Sequence, residues 1–184
     1  MPSYSDALAL FHEWTTGDSL RRHGVAVEAA MAEVARQRGA DVERWRIAGL
    51  LHDLDYERYP EADRHPHIGV EELERLGYDQ EIRTAILGHV PRVGVARETD
   101  MAKALFAVDE LAGFVTAVAH VRPGGMEGMT PRSVKKKLKD KRFAAAVSRD
   151  DIRQGAEELG VELDDLIQIV IDGMAREASR LGLA

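Results

Sequence analysis

The sequence predicts an all-α fold. Apolar residues recur at three- and four-residue steps along nearly the whole chain, the period of a helix with one buried face. Strand-like alternation is essentially missing, and the periodic segments are bounded by capping residues and by Gly or Pro stops. At 184 residues the chain is expected to form one domain, residues 1–184, whose core buries roughly two-thirds of the unfolded surface.

The elements follow in order. Asp18 is expected to cap a helix whose face reads Leu20, His23, Val27, Met31 and Val34 up to Gly39. Val42, Trp45, Gly49 and His52 share a face of the next, and Pro60 ends the segment after it. Ile68, Leu73 and Leu76 mark a short helix stopped by Gly77. Asp79 is expected to cap a helix with Ile82, Ala85, Ile86 and His89 on one face. Leu105, Val108, Ala112, Val115 and Ala119 stripe a longer one that ends by Pro123. Thr130-Pro131 pairs a cap with Pro at the first helical position, and Val134 and Leu138 share the face behind it. Asp150 is expected to open a helix closed by Gly160, and Leu166, Ile169, Val170, Gly173, Met174 and Leu181 stripe the last. The breaks are Pro91–Glu98 and the Gly-rich Arg122–Met129. The second is expected to separate an N-terminal core, residues 19–120, from a C-terminal helical extension, residues 130–184.

Composition narrows the chemistry. The chain has 7 His and no Cys, which excludes disulfides, thiolate zinc sites, iron–sulfur clusters and a cysteine nucleophile. Any metal must be held by imidazole and carboxylate. Five of the seven histidines fall between His23 and His89. Twenty-five basic and 32 acidic residues leave a net charge of −7, which argues against a nucleic-acid partner unless a local patch is basic. One patch is: Arg132 to Arg142 (RSVKKKLKDKR) holds seven basic residues and one acidic one. MPSYSDALALFHEW lacks the basic start and long apolar run of a signal peptide, and no stretch approaches membrane-spanning length. The expectation is a cytoplasmic protein with no membrane association.

Several polar residues sit on faces that should be core. His23 lies on the stripe of Leu20 and Val27, His52 on that of Trp45 and Gly49, and His89 continues Ile82, Ala85 and Ile86. Asp109 shares the face of Leu105 and Ala112. A buried, unpaired carboxylate is expensive, and a bound cation offsets that cost. The His52-Asp53 dipeptide alone carries no weight in a chain this rich in both residues. Its setting does: an earlier His and a later Asp, each on an apolar helix face.

On these residues the chain resembles the HD superfamily of metal-dependent phosphohydrolases. Its ligand order, His, then His-Asp, then Asp, is matched by His23, by His52-Asp53 in AGLLHDLDYE, and by Asp109 in ALFAVDELAG. The resemblance implies a helical bundle that binds a divalent ion through these four side chains. Binuclear members add histidines; His65 in His65-Pro66-His67-Ile68-Gly69 and His89 in AILGHV would hold a second ion, with Asp53 bridging and His67 as the rival to His65. The stretch SVKKKLKDKRFAAAVSRDDI is similar to the tail of compact HDIG-type proteins. One departure stands out: Leu54-Asp55 replaces the Ile-Gly that often follows His-Asp in that subset.

The function implied is hydrolysis of a phosphate ester or anhydride in a nucleotide-like small molecule by metal-bound hydroxide. The ions expected for mixed nitrogen and oxygen ligands are Mn, Fe, Co, Ni or Zn, one or two of them. Asp53 or Asp55 would orient the water or take its proton. Lys103, Arg122, Lys135, Lys136 and Lys137 are candidates, by type and position, to neutralise substrate phosphates. Two alternatives use the same residues: a di-iron oxygenase of the same superfamily, and a non-catalytic, metal-stabilised module whose basic tract binds RNA, an acidic protein or a phosphorylated ligand.

Overall fold

The computed structural model describes residues 1–184 and is all-α. The helices are α1 (Tyr4–Trp14), α2 (Asp18–Arg38), α3 (Val42–Leu51), α4 (His67–Arg75), α5 (Gln80–Gly88), α6 (Asp100–His120), α7 (Pro131–Leu138), α8 (Arg149–Leu159), α9 (Leu163–Arg176) and α10 (Ala178–Leu181). A 3-10 turn, Pro91–Val93, joins α5 to α6. No helix is long and apolar enough to cross a membrane.

Most boundaries follow local chemistry. Asp79 accepts from the Ile82 N–H, and Thr130 forms a capping box with Ser133, so the first-turn N–H groups that lack helical partners are satisfied. Two expected caps shift. Gly17 stands at the cap of α2 and Asp18 is its first helical residue, where a carboxylate still suits the positive end of the helix. Ser148, not Asp150, caps α8 by accepting from the Asp151 N–H. The last apolar stripe is broken at Glu177 into α9 and α10. Helix α1 is an addition to the expected elements; Ser3 and Asp6 form its capping box, and it buries Ala7, Leu10 and Phe11.

Helices α2 and α6 are the axis of the molecule. Helix α2 packs against α3, α6 and α9, and α6 packs against α5, α8 and α9. The buried apolar cluster runs from Ala7 to Leu183, so the C-terminal helices share one core with the rest. Two crossings need glycine. A Cβ on Gly49 of α3 would lie 2.9 Å from Glu28 Cα on α2, and one on Gly155 of α8 would lie 2.5 Å from Ala107 Cα on α6. Removing these side chains lets the backbones touch and sets how deeply α3 and α8 dock. Beside the first crossing, buried Glu28 accepts from Arg46 Nε at 2.9 Å and lies 3.1 Å from Arg180 Nη2, tying α2 to α3 and α10. Paired on both sides, this carboxylate avoids the penalty of a lone buried charge.

Candidate metal centre

The docking of α3 and α6 on α2 brings distant residues to one point. His23 comes from α2, Asp109 from α6, and His52 from the end of α3, with Asp53 next in the chain. His89 ends α5, and His65 lies in the loop before α4. His52 and His89 are placed by the same local device. Each stands at a helix C-cap and donates Nδ1–H to the carbonyl three residues back: Gly49 O at 2.7 Å and Ile86 O at 2.5 Å. The last carbonyls of a helix lack intrahelical partners, so the imidazole satisfies one of them. That bond also fixes the tautomer and leaves Nε2 as the free nitrogen. His65 does likewise through Asp55, donating Nδ1–H to Oδ1 at 2.7 Å.

The free nitrogens converge on two oxygens of Asp53. On one side, His23 Nε2 lies 3.2 Å from His52 Nε2 and 3.0 Å from Asp109 Oδ1. His52 Nε2 is 3.4 Å from both Asp109 Oδ1 and Asp53 Oδ2. On the other side, Asp53 Oδ1 is 3.5 Å from His65 Nε2 and 3.4 Å from His89 Nε2. Ligands about 2.1 Å from one ion lie roughly 3.0–3.5 Å from each other, so these spacings suit coordination. Two overlapping groups, His23–His52–Asp109 and His52–Asp53–His89, have the density of ligand atoms a metal requires.

Electrostatics ask for the same cation. Burial works against a charged His52, yet the Asp53 and Asp109 carboxylates outweigh it and hold its pKa well above the ordinary value. Burial likewise works against a charged Asp109, and His52 and His23 outweigh it and hold its pKa well below the usual carboxylate range. Without an ion, a proton must sit among these acceptors; a divalent ion held by the same side chains would take its place.

His52, His65 and His89 are buried, while His23, Asp53 and Asp109 keep partial exposure. Their open side faces a cleft of about 470 Å³. Tyr56, Arg92, Glu110 and Asp151 also line it, as does the strap Ala146-Val147. Burial and the neighbouring Asp109 carboxylate hold the Glu110 carboxyl above its ordinary value. Arg92 is the one lysine or arginine in this lining; it donates to Ala62 O at 3.1 Å and to His65 O at 2.8 Å.

Not every expected residue reaches the cleft. Asp55 is 1% exposed, and its two oxygens are taken by His65 and by the Gly69 N–H at 2.7 Å. Asp55 is therefore turned towards His65 and α4 and does not face the cleft, where an acid or base was expected. His67 begins α4 and is exposed, apart from the cluster. Lys103, Arg122, Lys135, Lys136 and Lys137 all lie outside the cleft lining. Arg122 donates to Gly125 O and Glu127 O, Lys135 pairs with Asp164 at 2.6 Å, and Lys137 lies over the Phe143 ring. Arg122, Lys135 and Lys137 are thus engaged within the C-terminal part of the fold. Tyr56, Arg92 and Glu110 lie outside the expected site, although each follows a candidate ligand within three residues. Asp151 had no local signal, because only the packing of α8 on α6 brings it there.

Comparison with known proteins agrees with this arrangement. The family model described as "HD domain" matches residues 20–114, just over half of the chain and the stretch that holds all six converging residues.

The chain belongs to the HD domain family.

An HD domain is a helical fold of metal-dependent phosphohydrolases, and the His/Asp clusters here are of the kind that family uses for divalent ions. The chain is also similar to Ribonuclease Y of Cutibacterium acnes, 33% identical over 112 residues, which cover 58% of this chain and 21% of that protein. The HD chain thus spans about a fifth of the length of that relative. No solved structure matches it.

Proposed function

We propose that the protein hydrolyses a phosphate ester or anhydride of a nucleotide-like molecule at a pair of divalent ions. His23, His52, Asp109 and Asp53 Oδ2 would hold one ion, and His65, His89 and Asp53 Oδ1 the other. The supporting observation is the division of labour in Asp53, whose two oxygens face separate sets of imidazoles. When bound, such ions supply a water acidified towards neutrality and a clamp on the non-bridging phosphoryl oxygens.

The chain's own groups do the rest. Arg92 offers positive charge at the cleft wall to a substrate phosphate, and its bonds to Ala62 O and His65 O fix it there in advance. Three imidazoles locked by Nδ1–H bonds present their nitrogens without reorganisation. The partial exposure of His23, Asp53 and Asp109 leaves substrate an approach to the centre.

The test is metal content and turnover together. Protein purified without added metal is analysed for elements, then assayed on a panel of phosphate esters with and without Mn. His52→Ala and Asp109→Ala are expected to lose the bound ion and at least a hundredfold in activity, since each removes a ligand. Full activity in either variant sinks the proposal. Two irons with a mixed-valence signal favour the oxygenase reading, and loss of helicity on chelation without any hydrolase activity favours a structural metal.

A further inference from the structure

The basic tract has a structure of its own. On α7, Val134 is buried and Leu138 packs on the core. Arg132, Lys136 and Lys139 recur at steps of four and three, so they share one face. All three are exposed, as are Lys141 and Arg142 just beyond. None of the five makes an ion pair, whereas Lys135 beside them is neutralised by Asp164. Asp140 is the single acid among them, and its carboxylate accepts the Arg142 N–H.

The segment after α7 is fixed. Arg149 donates to the carbonyls of Asp140, Phe143, Ala144 and Val147, and its guanidinium lies over the Phe114 ring. This strap has a cavity on each side. Ala146 and Val147 line the metal cleft; Ala145 and the same Val147 line a second cavity of about 500 Å³, together with Lys139, Lys141 and Arg153. Arg153 is paired with Asp150, leaving the two lysines free. Ala145 and Ala146 are exposed and short, so the crest between the cavities is low.

The two sides differ in charge. The metal cleft offers Arg92 against Asp53, Asp109, Glu110 and Asp151. The track offers five free cations on a chain that is acidic overall, with a net charge of −7. A field of that shape repels anions elsewhere and gathers them here. At the cleft, Tyr56 is 42% exposed, one of few large hydrophobic side chains left open, with its ring roughly perpendicular to that of His65. The cleft thus offers an exposed aromatic and the strap's far side a cationic track, the two features a base-bearing phosphate chain uses: charge for the backbone, a flat face for a base.

We infer that this track is a single-stranded oligonucleotide site continuous with the metal cleft. One phosphate lies at the ions, the chain crosses Ala145-Ala146, and later phosphates lie along Lys141, Lys139 and the exposed face of α7. The inference rests on the hydrolase reading above for what happens at the cleft, and on the track alone for binding.

The experiment measures anisotropy of a short fluorescein-labelled single-stranded oligoribonucleotide with the full chain across a salt series. Single-strand binding follows a slope of about −0.7 in log affinity against log salt for each phosphate neutralised. The expected slope is roughly −3. The variant Lys139→Glu/Lys141→Glu/Arg142→Glu is expected to bind at least tenfold more weakly with a slope shallower by about 2. The milder Lys139→Gln/Lys141→Gln/Arg142→Gln is expected to move both in the same direction, and circular dichroism checks that each variant folds. Tyr56→Ala is expected to weaken the oligonucleotide and leave competition by inorganic polyphosphate unchanged. Unchanged oligonucleotide binding in both charge variants overturns the inference. So does a track that captures an acidic protein or anionic vesicles but no oligonucleotide, and so does a Tyr56→Ala variant that binds the strand as well as the parent. Metal content and small-ester hydrolysis are read in parallel. Their loss with strand binding intact counts against the hydrolase reading alone; their persistence without strand binding counts against this inference alone.

Discussion

At the scale of residues, the proposed centre depends on the partners of its candidate ligands as much as on those ligands themselves. His52 and His89 each use a helix-end carbonyl, which the fold supplies without extra residues. His65 sits in a loop and has no such carbonyl, so a buried carboxylate takes its place. Asp55 accepts from His65 Nδ1 with one oxygen and from the Gly69 N–H at the start of α4 with the other. Asp55→Asn keeps the shape but puts an NH₂ group against one of two donors. The expected result is a tenfold to hundredfold weaker second ion, with the first retained, read as metal stoichiometry falling from two to one on titration. A variant that still binds two ions with parental affinity refutes the role. Legibility divides here in the same way. His23, His52, His89 and Asp109 could be placed because each lies on or ends an apolar helix face. His65 reads as a polar loop residue in Asp63-Arg64-His65-Pro66, yet it is 4% exposed. Its burial is made by Asp55, ten residues away, and by the start of α4, and no local pattern encodes that.

At the scale of elements, glycine at the α2–α3 crossing connects packing to chemistry. Gly49 lies one turn before His52 and also supplies the carbonyl that His52 Nδ1 uses. Gly49→Ala introduces a Cβ 2.9 Å from both Glu28 Cα and Val27 O. Backbone cannot yield as a flexible side chain can, so α3 must lift away. The expected destabilisation is about 1–3 kcal/mol, measured by chemical denaturation, and His52 moves with its helix, so metal affinity falls as well. Equal stability and affinity in the variant would show that α3 docks with slack. Helix existence was legible because long amphipathic stripes leave few alternatives, as the match from Leu20 to Val34 illustrates. Caps were less so, since several polar residues compete within a turn. Gly17 precedes Asp18, and Ser148 precedes Asp150; the residue with extended backbone, rather than the most acidic one, takes the cap. Helix α1 is hard to read from the sequence although Ser3-x-x-Asp6 is a capping box, because its apolar face is only three residues deep.

At the scale of the molecule, the centre is a charge problem shared by helices far apart in sequence. His23 and Asp109 come from α2 and α6, so their attraction clamps the axis itself. In metal-free protein, a proton on His52 balances Asp53 and Asp109. A raised pKa in the folded state contributes stability that is fully present below the ordinary histidine value, about 6.5, and is lost as pH rises through the raised value. The depressed pKa of Asp109 acts at the other end: its contribution is present above the ordinary carboxylate value, about 4, and fades as pH falls further. Metal-free protein should therefore be most stable between these limits and weaken on the alkaline side. Metal held by His52 would displace that proton, so affinity is expected to rise with pH where metal-free protein declines. The gap in melting temperature between Mn-loaded and metal-free protein is thus expected to widen steadily from pH 6 to pH 9, and calorimetry should record proton release on binding at the acid end. His52→Ala removes both the proton and the ligand, and should flatten the widening. A gap independent of pH in the parent protein would mean that the ion does not take the place of that proton, and that the buried acids are balanced elsewhere in the fold.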